Sequence, residues 1–327
     1  MTTTKRFERP DQPTIVYSDL GDPEAPAVLL LHGGAAGSRA NWRDIPGRLA
    51  ETYRVLAVDM RGHGESEWAT SYRIEDYASD IAAFIEQVAA RTVTLVGHSL
   101  GGLVAAQVAG TRPDLVEGAF FEDPPLHWRA AGGPTKTDAR RFDAEVFRAR
   151  VDELLDRGAT AKDLTALALQ EWTETDDFFR PRQELFKAQR ERGTTIDEIA
   201  ARVREGFSFG GGALSKLFDE TMSRGFVEGL LACDPRVLVP GMDWLAAYDR
   251  ERPIECPVFV LRADPAVGPP PVGAAFPPGS ESRFLATHPD ATVEFVPGAT
   301  HAIHTQMPDL FTEKLQTFLR RVAWVNA

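Results

Sequence analysis

Val93-Thr94-Leu95-Val96-Gly97-His98-Ser99-Leu100-Gly101-Gly102 sets a serine between two glycines, after a short apolar run and ahead of Leu103-Val104-Ala105-Ala106-Gln107-Val108-Ala109. The first run is β-branched and reads as a buried strand, and the second reads as a helix, so the spacing predicts a nucleophile elbow. The turn is so tight that side chains two residues before or after the serine would collide, which accounts for Gly97 and Gly101. Ser99 then stands above the strand end with its hydroxyl exposed. A glycine-rich turn capped by serine is the plain alternative, and the strand-to-helix context speaks against it.

A serine hydroxyl is a weak nucleophile, so the chain must also supply a base, an acid to orient that base, and donors for an oxyanion. Ala27-Val28-Leu29-Leu30-Leu31 reads as a buried strand that runs into His32-Gly33-Gly34. Small residues there let the backbone approach a substrate carbonyl, and the N–H groups of Gly34 and Leu100 are the candidate donors. His32 itself reads as a packing and hydrogen-bonding residue. The candidate base is His301, which a short strand and the turn at Gly298 deliver just before the C-terminal helix. His304, three residues on, is its nearest rival and otherwise reads as a helix N-terminal or pocket-wall residue. His32, His63 and His98 sit inside other motifs, and His127 and His288 lack a strand-end setting.

With His32-Gly33-Gly34, Val58-Asp59-Met60-Arg61-Gly62-His63-Gly64-Glu65-Ser66, Gly97-His98-Ser99-Leu100-Gly101 and Gly298-Ala299-Thr300-His301 in hand, the chain resembles the α/β-hydrolases. The matching pieces lie towards both ends, and the middle third carries none. The resemblance implies Ser99 as nucleophile, His301 as base, and the Gly34 and Leu100 amides as oxyanion hole. Dehalogenase and epoxide-hydrolase chemistry is disfavoured, because those members carry a carboxylate at the elbow.

Two aspartates compete as the acid. Most of the family place it after the seventh strand, where Pro257-Val258-Phe259-Val260-Leu261-Arg262 is followed by Asp264, but the usual Gly-x-x-Asp lead-in is missing. Asp123, in Glu122-Asp123-Pro124-Pro125, follows the sixth strand, as in haloalkane dehalogenases and zearalenone-type lactonases. The ring of Pro124 is expected to hold Asp123 in extended geometry. Asp123 is the preferred acid and Asp264 the alternative. Glu122 should point the opposite way from Asp123, towards a salt bridge or a helix cap.

At 327 residues and 43% hydrophobic content, the chain is long enough for one large α/β domain and an insertion. A formal charge of −12 argues against nucleic acid and anionic membranes as partners. Cys233 and Cys256 are too few for a disulfide framework and have no metal-ligand neighbours at motif spacing, so neither metal nor cofactor is expected. The N-terminal residues lack the apolar core of a signal peptide, and no apolar run reaches membrane-spanning length. The expectation is a cytoplasmic enzyme, with a homo-oligomer left open.

Strands are expected near 14–18, 27–32, 54–59, 93–97, 117–122, 257–262 and 292–296, alternating with helices such as Ile74 to Ala90. That alternation implies a doubly wound, mostly parallel sheet. Residues 1–125 and 254–327 are read as the α/β-hydrolase core, and 126–253, helical in pattern, as an inserted cap of five or more helices. Family position places such a cap over the mouth above Ser99, where it would exclude water. Trp128, five residues beyond Asp123, is the candidate substrate-binding wall. Three functions stay open. The first is a serine esterase or lactonase acting on a small, largely apolar molecule. The second is a cofactor-free haloperoxidase or perhydrolase on the same triad, and the third is a small-molecule receptor with vestigial hydrolysis.

Overall fold

The long apolar runs form strands because they are buried on both faces. In the computed structural model, which describes residues 4–34, 36–127, 140–175, 177, 179–209, 219–238, 252–267, 274–276 and 279–325, all five residues of the run Ala27–Leu31 are buried. Among the described residues, eight strands make one sheet: β1 (Thr4–Arg9), β2 (Gln12–Leu20), β3 (Ala27–Leu31), β4 (Arg54–Asp59), β5 (Val93–His98), β6 (Val116–Glu122), β7 (Val258–Arg262) and β8 (Thr292–Phe295). Their order is β1-β2-β4-β3-β5-β6-β7-β8. The pairs β1/β2 and β2/β4 are antiparallel and the rest are parallel, which gives the expected α/β, mostly parallel architecture. The reversal of strand order beside β3 and β5 brings the C-terminal ends of central strands to one edge, where such sheets carry their chemistry.

β1 was not expected from the sequence. Its run, Thr4-Lys5-Arg6-Phe7-Glu8-Arg9, is charged because it is an edge strand on which only Phe7 is buried, edge-on to Phe84 at 5.5 Å. The expected helix from Ile74 to Ala90 is regular only over Ile74–Phe84. It continues as one wider turn, Ile85–Ala89, and stops at Ala90, whose φ is +55°.

One core layer rests against the C-terminal helix Pro308–Val325. Phe311, Leu315, Phe318, Leu319 and Val322 of that helix join Phe120 and Leu261 of the sheet and Trp42 and Leu49 from the first crossover. Phe120 stacks on Phe259 at 5.1 Å and meets Phe311 edge-on at 5.5 Å. Burial of one such ring contributes about 1.5–3 kcal/mol. Since β6 is therefore held from behind, its last residue, Glu122, and Asp123 directly after it have a fixed height above the sheet.

Contacts divide the chain into two units, Met1–Gly34 with Ser38–Gly133 and Met242–Ala327, and Ala35–Gly37 with Pro134–Gly241. The second unit contains the helices Ala144–Asp156, Ala161–Thr175, Arg180–Glu191, Ile196–Phe209 and Glu220–Ala232. Asp143 caps the first by accepting the N–H of Glu145 and Val146, and Asp219 caps the last by accepting that of Met222. Buried Glu171 accepts from Arg140 and Arg150, which ties the first two helices together. No helix among the described residues is long and apolar enough to cross a membrane.

Candidate active site

The turn after β5 shows why its glycines are required. A Cβ on Gly97 would lie 2.3 Å from the Gly101 carbonyl oxygen, and one on Gly101 would lie 2.1 Å from that of Leu31. Between them Ser99 takes φ +53° and ψ −115°, a conformation that costs a non-glycine residue about 1–3 kcal/mol. The surroundings hold it there: the Ser99 N–H donates to the Glu122 carbonyl at 3.0 Å, and the Ser99 carbonyl accepts from Gly102 at 2.9 Å.

Leu100 is the first residue of the helix Leu100–Thr111, so its N–H has no acceptor within the helix. Gly34 lies beside it, since a Cβ there would be 3.6 Å from Leu100 Cβ. Gly33 tolerates no side chain, because its Cβ would meet His98 Nδ1 at 2.7 Å. His32 ties this loop to the one after β4 by accepting the Met60 N–H on Nε2 at 2.9 Å. Burial pushes the His32 imidazole down to about 4, which keeps it neutral for that bond.

Asp123 and His301 meet. His301 Nδ1 lies 2.7 Å from Asp123 Oδ2, and Asp123 is fully buried. A carboxylate only accepts, so Nδ1 carries the proton and Nε2 presents a lone pair. Three backbone N–H groups complete the carboxylate's shell: Ala263 at 3.1 Å and Phe276 at 3.3 Å on Oδ1, and Ala275 at 2.6 Å on Oδ2. The His301 ring packs 4.6 Å from that of His98, the neighbour of Ser99, which sets the imidazole beside the elbow.

The extended geometry expected of Asp123 is not what the fold uses. Its φ is +42°, in the left-handed region, and its N–H donates to the Leu261 carbonyl at 2.8 Å. Four N–H donors and that strand bond fix the carboxylate, and the following proline is not what does so. Asp264 is elsewhere: its carboxylate accepts the N–H of Ala266 and of Gly298, both at 2.8 Å, and so pins the turn that leads to His301. Those two amides hold its pKa below the usual carboxylate range. Trp128 lies outside the described residues.

Glu122 and His304 form a second pair. Glu122, fully buried, accepts the His304 N–H on Oε1 and Nδ1–H on Oε2, both at 2.7 Å. It thus holds the His304 ring and caps the short helix Ile303–Gln306. His98, Glu122 and His304 bring ligand-type atoms within 4.8 Å of one another, but both carboxylate oxygens are taken by His304, and His98 Nε2 bonds the His301 carbonyl oxygen at 3.0 Å. Sequence reasoning missed Ala263, Ala275 and Phe276 as holders of the Asp123 carboxylate, because backbone donors leave no side-chain signal. Cys233 and Cys256 are free thiols, and burial pushes the Cys256 thiol up to about 12.

The family described as alpha/beta hydrolase fold matches residues 26–172. The 2-(acetamidomethylene)succinate hydrolase of Mesorhizobium japonicum is 27% identical over 295 residues, 90% of this chain and 88% of that protein. Lipase LipV of Mycobacterium tuberculosis is 38% identical over 103 residues, so the match spans 31% of this chain and 39% of that relative. The carboxylesterase CesB of Bacillus subtilis shares the fold with a TM-score of 0.60 at 16% identity, covering 98% of this chain and 92% of that one.

Proposed function

Because the chain belongs to the α/β-hydrolase superfamily, we propose that it is a serine hydrolase that cleaves a carboxylic ester or lactone of a small, largely apolar molecule through an acyl-enzyme. The observation that carries this reading is the 2.7 Å bond from His301 Nδ1–H to buried Asp123, which leaves Nε2 free to act as a base beside the elbow. Ser99 Oγ attacks the carbonyl carbon while His301 Nε2 takes its proton, and the oxyanion is received by the N–H of Gly34 and Leu100. The leaving alkoxide collects that proton from His301 as the ester C–O bond breaks. Water then gives a proton to His301 and attacks the acyl carbon, and the carboxylic acid departs as Ser99 is reprotonated. Asp123 holds the imidazole in the useful tautomer throughout.

The helical unit inserted between β6 and β7 is proposed, from its place in the chain, to be a cap. The test is a panel of p-nitrophenyl esters, aliphatic lactones and one N-acyl substrate, run with and without peroxide, alongside labelling by a fluorophosphonate. The reading expects ester or lactone turnover in water and a single label on Ser99. Label elsewhere, or turnover only with peroxide, refutes it.

A further inference from the structure

Glu122 and Asp123 are consecutive, and each grips one histidine of the segment that follows β8. Asp123 holds the His301 side chain, and Glu122 holds His304 by both its backbone N–H and its ring. The Glu122 carbonyl also accepts the Ser99 N–H at 3.0 Å. From the elbow side His98 Nε2 reaches the His301 carbonyl oxygen at 3.0 Å, and since a carbonyl only accepts, that nitrogen carries the proton. Burial first, then repulsion from His301 and His304, holds the His98 pKa well below the usual histidine range, so the ring is neutral. His304 is wedged by Trp42 at 4.8 Å and Phe311 at 5.9 Å.

A carboxylate buried this deeply is expensive to desolvate, and an apolar pair of similar volume would fill the same space without that cost. The arrangement has a geometric product instead. The elbow, the end of β6 and the segment 301–306 are referenced to the same two residues, so the backbone bearing His301 is tied at its carbonyl and again three residues on. We infer that His98, Glu122 and His304 are positioning residues for His301, a rear brace that fixes where its Nε2 stands relative to Ser99. The inference rests on the serine-hydrolase reading. A displacement of about 1 Å at such a centre costs on the order of 10²-fold in rate.

The test compares His98→Met, which has no donor, with His98→Gln, whose amide N–H has a reach close to that of Nε2. Hydrolysis of p-nitrophenyl butyrate by His98→Met is expected to lose on the order of 10²-fold in kcat with KM within about threefold, while His98→Gln recovers at least about a tenth of the wild-type value. Equal activities in the two variants, or a loss carried by KM, overturn the inference. Glu122→Gln, nearly isosteric, covers a failure of His98→Met to fold: kcat falls roughly tenfold or more at unchanged KM, and wild-type kcat overturns the proposal. The downfield proton resonance of His301 Nδ1–H reads the geometry without turnover. It should move in His98→Met and Glu122→Gln and return in His98→Gln, and a resonance unmoved in all three overturns the proposal. Should Ser99→Ala prove active, the serine reading fails alone, and the resonance still decides the brace.

Discussion

Asp123→Asn separates the two candidate acids, and its effect follows from counting donors. Oδ2 receives His301 Nδ1–H and the Ala275 N–H, and Oδ1 receives the N–H of Ala263 and Phe276. An asparagine offers one oxygen and one NH2, so one side must set donors against donors. With the NH2 towards Ala263 and Phe276, two buried amides lose their acceptor, at about 1–3 kcal/mol each. With the NH2 towards Ala275 and His301, only one amide is orphaned, because the imidazole can move its proton to Nε2 and accept on Nδ1. The second orientation therefore wins, and it leaves His301 in the tautomer that cannot take a proton from Ser99. The expected loss in kcat is about 10⁴-fold, by analogy with serine proteases. The accompanying loss of stability is about 1–3 kcal/mol, small enough for the fold to survive. Steady-state hydrolysis of p-nitrophenyl butyrate, with thermal unfolding as control, reads both. Asp264→Asn, which touches only Ala266 and Gly298, should keep at least about a tenth of wild-type activity, the remainder reflecting a looser turn before His301. A folded Asp123→Asn with kcat within tenfold of wild type, or a dead Asp264→Asn beside it, refutes the reasoning and moves the acid to Asp264.

Ser99→Ala should cost about 10⁴-fold or more with no loss of fold, and adding His301→Ala should cost little more, since the two act as a unit; clear additivity in kcat would show that they are not partners. Desolvation by burial pushes His32 down to about 4, and desolvation together with repulsion from His32 pushes His63 down to about 3, against 6.5 for an ordinary histidine. Both groups thus bind protons in the unfolded chain before they do so in the fold. Their contribution is complete above about pH 6.5 and falls away as pH drops towards 4 and 3, by roughly 2 kcal/mol each at pH 5; a Tm that is flat from pH 7.5 to 5 contradicts this. If residues 126–253 are a cap, hydrogen exchange across that insertion should slow once a fluorophosphonate occupies Ser99, and unchanged exchange throughout it counts against a cap.

The parts of the fold that rest on continuous burial were legible in the chain. Ala27–Leu31 and most of Val93–His98 and Val116–Glu122 are apolar because both faces are covered, and the glycines around Ser99 are spelled by backbone atoms that a Cβ would meet at 2.1–2.3 Å. β1 was illegible for the converse reason: an edge strand with one buried residue has no apolar run to display. At the site, side-chain types announced Ser99, His301 and both aspartates, but the choice between Asp123 and Asp264 depends on which backbone amides converge, and an amide has no letter of its own. The same holds for the backbone of Asp123, where the local preference before proline yields to the bond with Leu261. Glu122 and His304 were each assigned bland roles singly, and nothing in their spacing along the chain shows that β6 and the last crossover bring them together.

Ser99 and Asp123 both occupy backbone with positive φ, where a glycine would sit more easily. That has a bearing on how such a protein can decay. Selection that rewards only persistence in the cell, with turnover no longer needed, would find an improvement at residue 99, the proposed nucleophile, because glycine there relieves strain of about 1–3 kcal/mol, whereas glycine at 123 would leave the buried N–H groups of Ala263, Ala275 and Phe276 without their acceptor. Silent descendants of this chain would then be sturdier than their working ancestor, having lost activity through repair of the backbone. A library screened for heat resistance without an activity screen would be drawn along the same route, so thermostability campaigns on this scaffold need residue 99 held fixed from the start.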